Sequence, residues 1–113
     1  MKSEGLVKNE SMRRVNVDFP VSFHLWLESR AKINERSKRG EIKVITAEVM
    51  KLDPDLTGLD EKLYQGHTKS TKWNGVELPA SYHLWLEERV KKSERTKAEE
   101  LKLLCLWLQQ KES

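Results

Sequence analysis

The sequence has little of what secreted proteins and cofactor enzymes are built from. Its 113 residues include one cysteine, three prolines, five glycines, and two each of Phe and Tyr. The lone Cys105 closes no internal disulfide, and residues 1–12 contain no apolar stretch of about 7–15 residues of the signal-peptide kind. Both features point to a reducing, cytoplasmic setting. No apolar run approaches the roughly 20 residues of a membrane helix, and mean hydropathy is −0.72, so no membrane partner is expected. The glycines form no phosphate-cradling cluster. A chain of this length has no room for a nucleotide-binding βαβαβ half together with a substrate pocket. No nucleophile–base pair, paired carboxylates or metal-ligand spacing stands out, His24 and His83 included, so neither an enzyme, a cofactor nor a metal is expected.

A large charge of one sign is missing too. Lys and Arg number 21 against 18 Asp and Glu, a net charge of +3. The distribution is uneven: residues 1–51 carry +4, residues 52–71 carry −2 and residues 72–113 carry +1. The basic surplus sits in the first half.

What the sequence does contain is a repeat. Shifting it by 59 places aligns Val17–Lys51 with Val76–Gln110 without a gap, and 15 of the 35 positions are identical. His24-Leu25-Trp26-Leu27-Glu28 meets His83-Leu84-Trp85-Leu86-Glu87, and Pro20, Ser22, Arg30, Arg36, Lys38 and Glu41 also meet their own kind. Two copies of one supersecondary unit, joined by a connector, account for this pattern.

Each copy reads as strand, helix, helix. Arg14 to Phe19 alternates polar and apolar, the period of a half-buried strand, and Pro20 ends it. Phe23, Trp26, Leu27 and Ala31, matched by Tyr82, Trp85, Leu86 and Val90, recur at helical spacing on one face. A polar break follows, with Ser37 or Thr96 as N-cap of a second helix. Thr96 with Glu99 forms a capping box, which Gly40 removes from the first copy. The second helix buries Ile42, Ile45, Thr46 and Val49, or Leu101, Leu104, Cys105 and Leu108.

Such a unit is too small to fold alone and leaves both edges of its strand unpaired. The strand of one copy is therefore expected to pair antiparallel with the strand of the other over four helices. The expected fold is mainly α with a short two-stranded ribbon. Residues 1–12 form a mobile tail, 13–51 and 72–113 the two copies, and 52–71 a connector with a short helical turn near Leu59–Tyr64.

The order strand, Phe-Pro, amphipathic helix, Asn34-Glu35-Arg36-Ser37 and then Gly40-Glu41-Ile42 resembles the ribbon–helix–helix repressors of the Arc, MetJ and CopG type. Their turn has the form Asn-Gly-Arg-Ser, followed by Ser-Glu-aliphatic at the start of the second helix. Ser93-Glu94-Arg95-Thr96 with Glu99-Glu100-Leu101 fits the pattern less closely. The resemblance spans both copies and implies a tandem pseudo-dimer in one chain, where most members pair two separate chains.

It also implies a partner, double-stranded DNA, with the ribbon in the major groove and a repressor's action by site occupancy. Alternation turns Arg14, Asn16 and Asp18 outward in the first copy, and Trp73, Gly75 and Glu77 in the second. Arg14, Asn16, Asp18, Trp73 and Glu77 are then the base-reading candidates. Arg14 suits guanine O6/N7 and Asn16 suits adenine N6/N7. Phosphate would be held where the second helices begin, by Arg36, Ser37, Lys38 and Arg39 and by Arg95, Thr96 and Lys97. The plainer alternative makes Ser37 and Thr96 simple caps and Arg14 a solvated residue. Asp18 and Glu77 would repel phosphates, which leaves open a protein-interaction or antitoxin-like module that kept the fold without reading DNA.

The last helix is apolar nearly all round. Leu103, Leu106 and Trp107 stand where the first copy has Val44, Ala47 and Glu48. They are expected to contact a second copy of the chain or the connector folding back.

Overall fold

The structure, a computed structural model, describes residues 11–56 and 71–112, with backbone alone for 71–74. Its elements in order are β1 (Met12–Pro20), α1 (Val21–Ile33), α2 (Lys38–Leu52), β2 (Thr71–Pro79), α3 (Ala80–Ser93) and α4 (Lys97–Glu112). The chain is mainly helical with one two-stranded antiparallel sheet. No described helix is long and apolar enough to cross a membrane.

Strand alternation sets the two faces of the ribbon. Val15, Val17, Phe19, Val76 and Leu78 are buried beneath it, while Arg14, Asn16 and Glu77 are exposed above. The register runs from Met12 opposite Pro79 to Pro20 opposite Thr71, and Asn16 faces Gly75, the residue 59 places on. The pairing is thus centred on one equivalent pair of the repeat. Pro20 and Pro79 end the strands and open α1 and α3 with φ of −61° and −58°, the angle that proline fixes.

One boundary differs from expectation. Ser11 and Met12 are not tail: Met12 pairs with Pro79, and the Ser11 carbonyl accepts from the Ala80 N–H at 2.9 Å. The rest of the expected tail, and the helical turn near Leu59–Tyr64, lie outside the described residues. At its C-terminus α2 stops where Asp53 takes a left-handed φ of 44° and its N–H returns to the Val49 carbonyl, immediately ahead of Pro54.

Beneath the ribbon, Phe19 stacks on Phe23 at 4.3 Å. Ile42, Ile45 and Val49 of α2 and Leu101, Leu104, Cys105 and Leu108 of α4 complete the core. Each strand lies on the second helix of the other copy, β1 on α4 and β2 on α2. One hydrophobic cluster takes its residues from both copies.

α4 also touches α1, α2 and α3, which corrects the expectation for its outer face. Leu103 and Leu106 are 3 % and 2 % exposed within this one chain. They are core residues of a central helix, and no second chain is needed to cover them. Trp107 is half-buried against the same core, with the Lys111 ammonium 4.9 Å from its ring centre. The connector does fold back in its first residues, for Leu56 is buried in the core.

Candidate nucleic-acid interface

The register sets the base-reading candidates of the ribbon in three cross-strand positions: Arg14 opposite Glu77, Asn16 opposite Gly75 and Asp18 opposite Trp73. Arg14, Asn16 and Glu77 are exposed. Asp18 is half-buried, with Oδ1 enclosed and without a hydrogen-bond partner among the described residues, so it offers less to a groove than its neighbours. The side chain of Trp73 lies outside the described residues.

Hydrogen bonds tie the end of this ribbon to the start of α4. His83, buried on α3, approaches the Arg13 carbonyl with Nε2 at 3.1 Å. A carbonyl only accepts, so Nε2 carries the proton and Nδ1 is left as an acceptor. The Lys97 ammonium lies 3.4 Å from that Nδ1 and donates to it. The first residue of α4 is thus one imidazole away from the backbone of the reading strand.

The helix starts form as their sequences require. Ser37 Oγ accepts from the Gly40 N–H at 3.0 Å. Thr96 and Glu99 exchange both bonds of the capping box, at 2.8 and 3.1 Å. Both residues are caps, and the second start is further shielded by acidic Glu99 and Glu100 in its first turn. Lys38 pairs with Glu28 at 3.5 Å and Lys97 with Glu87 at 3.2 Å, both in partly exposed positions. Such pairs contribute little and exchange readily for another anion. Arg39 is exposed and makes no ion pair among the described residues.

Arg95 and Arg36 have other tasks. Each copy buries a glutamate in the first turn of its second helix, Glu41 fully and Glu100 to 1 % exposure. A buried carboxylate needs charged partners with good geometry. Glu41 receives Arg30 at 2.6 Å, Arg36 at 3.0 Å and Asn34 at 3.0 Å. Glu100 receives Arg89 at 2.8 Å and Arg95 at 3.0 Å. Arg95 also holds the Leu56 carbonyl at 3.0 Å, and its side chain is 9 % exposed, which removes it from the phosphate-binding set. Arg36, at 43 % exposure, binds Glu41 through one nitrogen and keeps an open flank.

The first-helix arginines of these clamps diverge between copies. Arg30 reaches Glu48 and Glu112 and lies 5.4 Å from the Trp26 ring centre. Arg89 reaches Asp53 and the Pro54 carbonyl beside Trp85. The clamps escaped the reading of the sequence for function, although Arg30, Arg36 and Glu41 each recur unchanged in the second copy.

Their electrostatics give an acid response. Burial pushes the Glu41 carboxyl up, but the hydrogen bonds from Arg30, Arg36 and Asn34 outweigh it and hold the group below its ordinary value. A group depressed in the folded state contributes stability above its unfolded value and loses it as the pH falls through the folded one. From about pH 5 to about pH 3 the denaturation midpoint of the native chain should therefore fall, and that of Glu41→Gln should fall less. Parallel curves from urea titrations would contradict this.

Burial pushes the Cys105 thiol up to about 12, which leaves it inert as a nucleophile. No cluster of metal-ligating side chains is present among the described residues. Comparison with protein-family models, curated proteins and solved structures finds no match to this chain.

Proposed function

We propose that this protein binds double-stranded DNA in a sequence-specific manner as a tandem ribbon–helix–helix pseudo-dimer, with the outer face of the ribbon in the major groove, and that it represses transcription by occupying its site. The observation that carries the reading is the ribbon itself: antiparallel, centred on the equivalent pair Asn16 and Gly75, apolar below, and bearing Arg14 and Asn16 above. A two-stranded ribbon is one of the few elements the major groove admits. Two further features support it. Glu35 and Glu94 take left-handed φ of 55° and 62° at the turn position where the Arc-type pattern has glycine. Lys97 stands beside the ribbon, where a phosphate contact would fix its register.

The candidate cations left for phosphate are Arg36, with its open flank, Lys38, Arg39 and Lys97. Neutralising four phosphates gives a slope of log K on log salt of about −3 to −4. Fluorescence anisotropy with a random-sequence duplex measures it, and Lys38→Ala should reduce the slope by about one for every sequence alike.

A second reading is favoured by two observations: Lys38 and Lys97 already pair with glutamates, and Glu77 and Asp18 share the reading face with Arg14. A protein-interaction module would show these features and bind no duplex even at low salt.

A further inference from the structure

The centre of the ribbon contains an asymmetry that the repeat alone does not require. Asn16 and Gly75 face each other there, and one of them has no side chain. Glycine in a strand sacrifices packing and conformational restriction, and it commonly marks a close approach of another group. Backbone geometry does not call for it, because no described glycine has a positive φ.

What approaches is Arg14. A Cβ added to Gly75 would lie 2.9 Å from Arg14 Nε, 3.1 Å from Cζ and 3.2 Å from Cδ. The guanidinium lies across the Gly75 backbone, on the diagonal towards the ribbon's midpoint. It makes no ion pair with Glu77, directly opposite, among the described residues. Diagonal neighbours on a ribbon are about 7–8 Å apart, within reach of a long side chain. The repeat offers no mirror image of the arrangement. Trp73 stands at the place equivalent to Arg14, and Asn16, with its side chain, at the place equivalent to Gly75.

We propose that Gly75 is a positioning residue that seats Arg14 over the middle of the ribbon, so that one arginine reads a guanine at the centre of a non-palindromic site. This rests on the DNA-binding reading above. Arginine is the side chain suited to the paired O6 and N7 acceptors of guanine, and a guanidinium held over Gly75 stands at one fixed place along the ribbon. Of the two equivalent positions only one carries an arginine, and the recognised duplex has a direction.

Gly75→Ala and Arg14→Ala test this. Alanine suits a strand better than glycine, so Gly75→Ala should fold and melt at or above the native temperature. Its added Cβ displaces the guanidinium. Binding to a random duplex should persist, while discrimination between a central G·C and a central A·T pair should fall about tenfold in both variants. Native discrimination in Gly75→Ala, or a native protein that binds duplexes with no central preference, would overturn the proposal. A readout free of DNA separates its failure from that of the underlying reading. The Arg14 Nε–H signal in ¹⁵N relaxation should be ordered in the native chain and mobile in Gly75→Ala. An Nε–H equally mobile in both would overturn the seat, and a native chain that binds no duplex would overturn the reader.

Discussion

Replacing Arg89 with alanine is expected to cost about 3 kcal/mol or more of stability and to lower the melting temperature by roughly 15 °C. Four contacts converge on this guanidinium: Glu100 at 2.8 Å, Asp53 at 2.8 Å, the Pro54 carbonyl at 2.7 Å and the face of Trp85. Most of the loss comes from what stays behind. Glu100, 2 % exposed at its side chain, would keep Arg95 alone, and an under-compensated buried charge is far costlier than a broken surface pair. The control is Lys91→Ala, which removes an ion pair with both partners 71 % exposed and should leave the melting temperature unchanged. Equilibrium denaturation of the two variants decides the matter. An Arg89→Ala midpoint equal to that of Lys91→Ala would mean that the clamps are ornaments of a fold held by its apolar core.

Leu106→Ala should cost about 2–5 kcal/mol, as a fully packed leucine does, with no change in molecular mass. Leu106 is 2 % exposed and Leu103 3 % exposed, on a helix flanked by β1 and the other helices. If this face joined two chains, the native protein would sediment as a dimer and Leu106→Ala as a folded monomer. In the structure the face is already covered, so the native chain, Leu106→Ala and Trp107→Glu should share one mass. Trp107→Glu strips a half-buried ring from the same core and should lose stability as well.

Much of the architecture was legible because the repeat constrains it. Alternation from Arg14 to Phe19 gave the buried set Val15, Val17 and Phe19. The spacing of Ile42, Ile45, Thr46 and Val49 gave the inner face of α2, and Thr96 with Glu99 gave a capping box that forms as written. The all-round apolar character of α4 misled, because an amphipathic helix and a central one differ in their neighbours, and neighbours are a property of the assembled fold. The phosphate candidates misled for a related reason. Arg95 and Lys97 look alike in sequence as cations at a helix start. Only the burial of Glu100 separates them, by claiming the first and leaving the second beside His83 and the ribbon. The seat of Arg14 on Gly75 was likewise hidden, since it depends on a register that no local pattern sets.

On the proposed function, the ribbon is the face that meets DNA. This is tested most directly by titrating the ¹⁵N-labelled protein with a duplex chosen from a random pool for binding. The amide signals of Arg13 to Asp18, Gly75 to Glu77 and the start of α2 should shift together. Those of α1 around Leu25 and of α3 around Leu84, which are exposed and carry no base-reading or phosphate candidate, should stay in place. Shifts gathered on α1 and α3 with the ribbon silent, or no shifts at low salt, would contradict it.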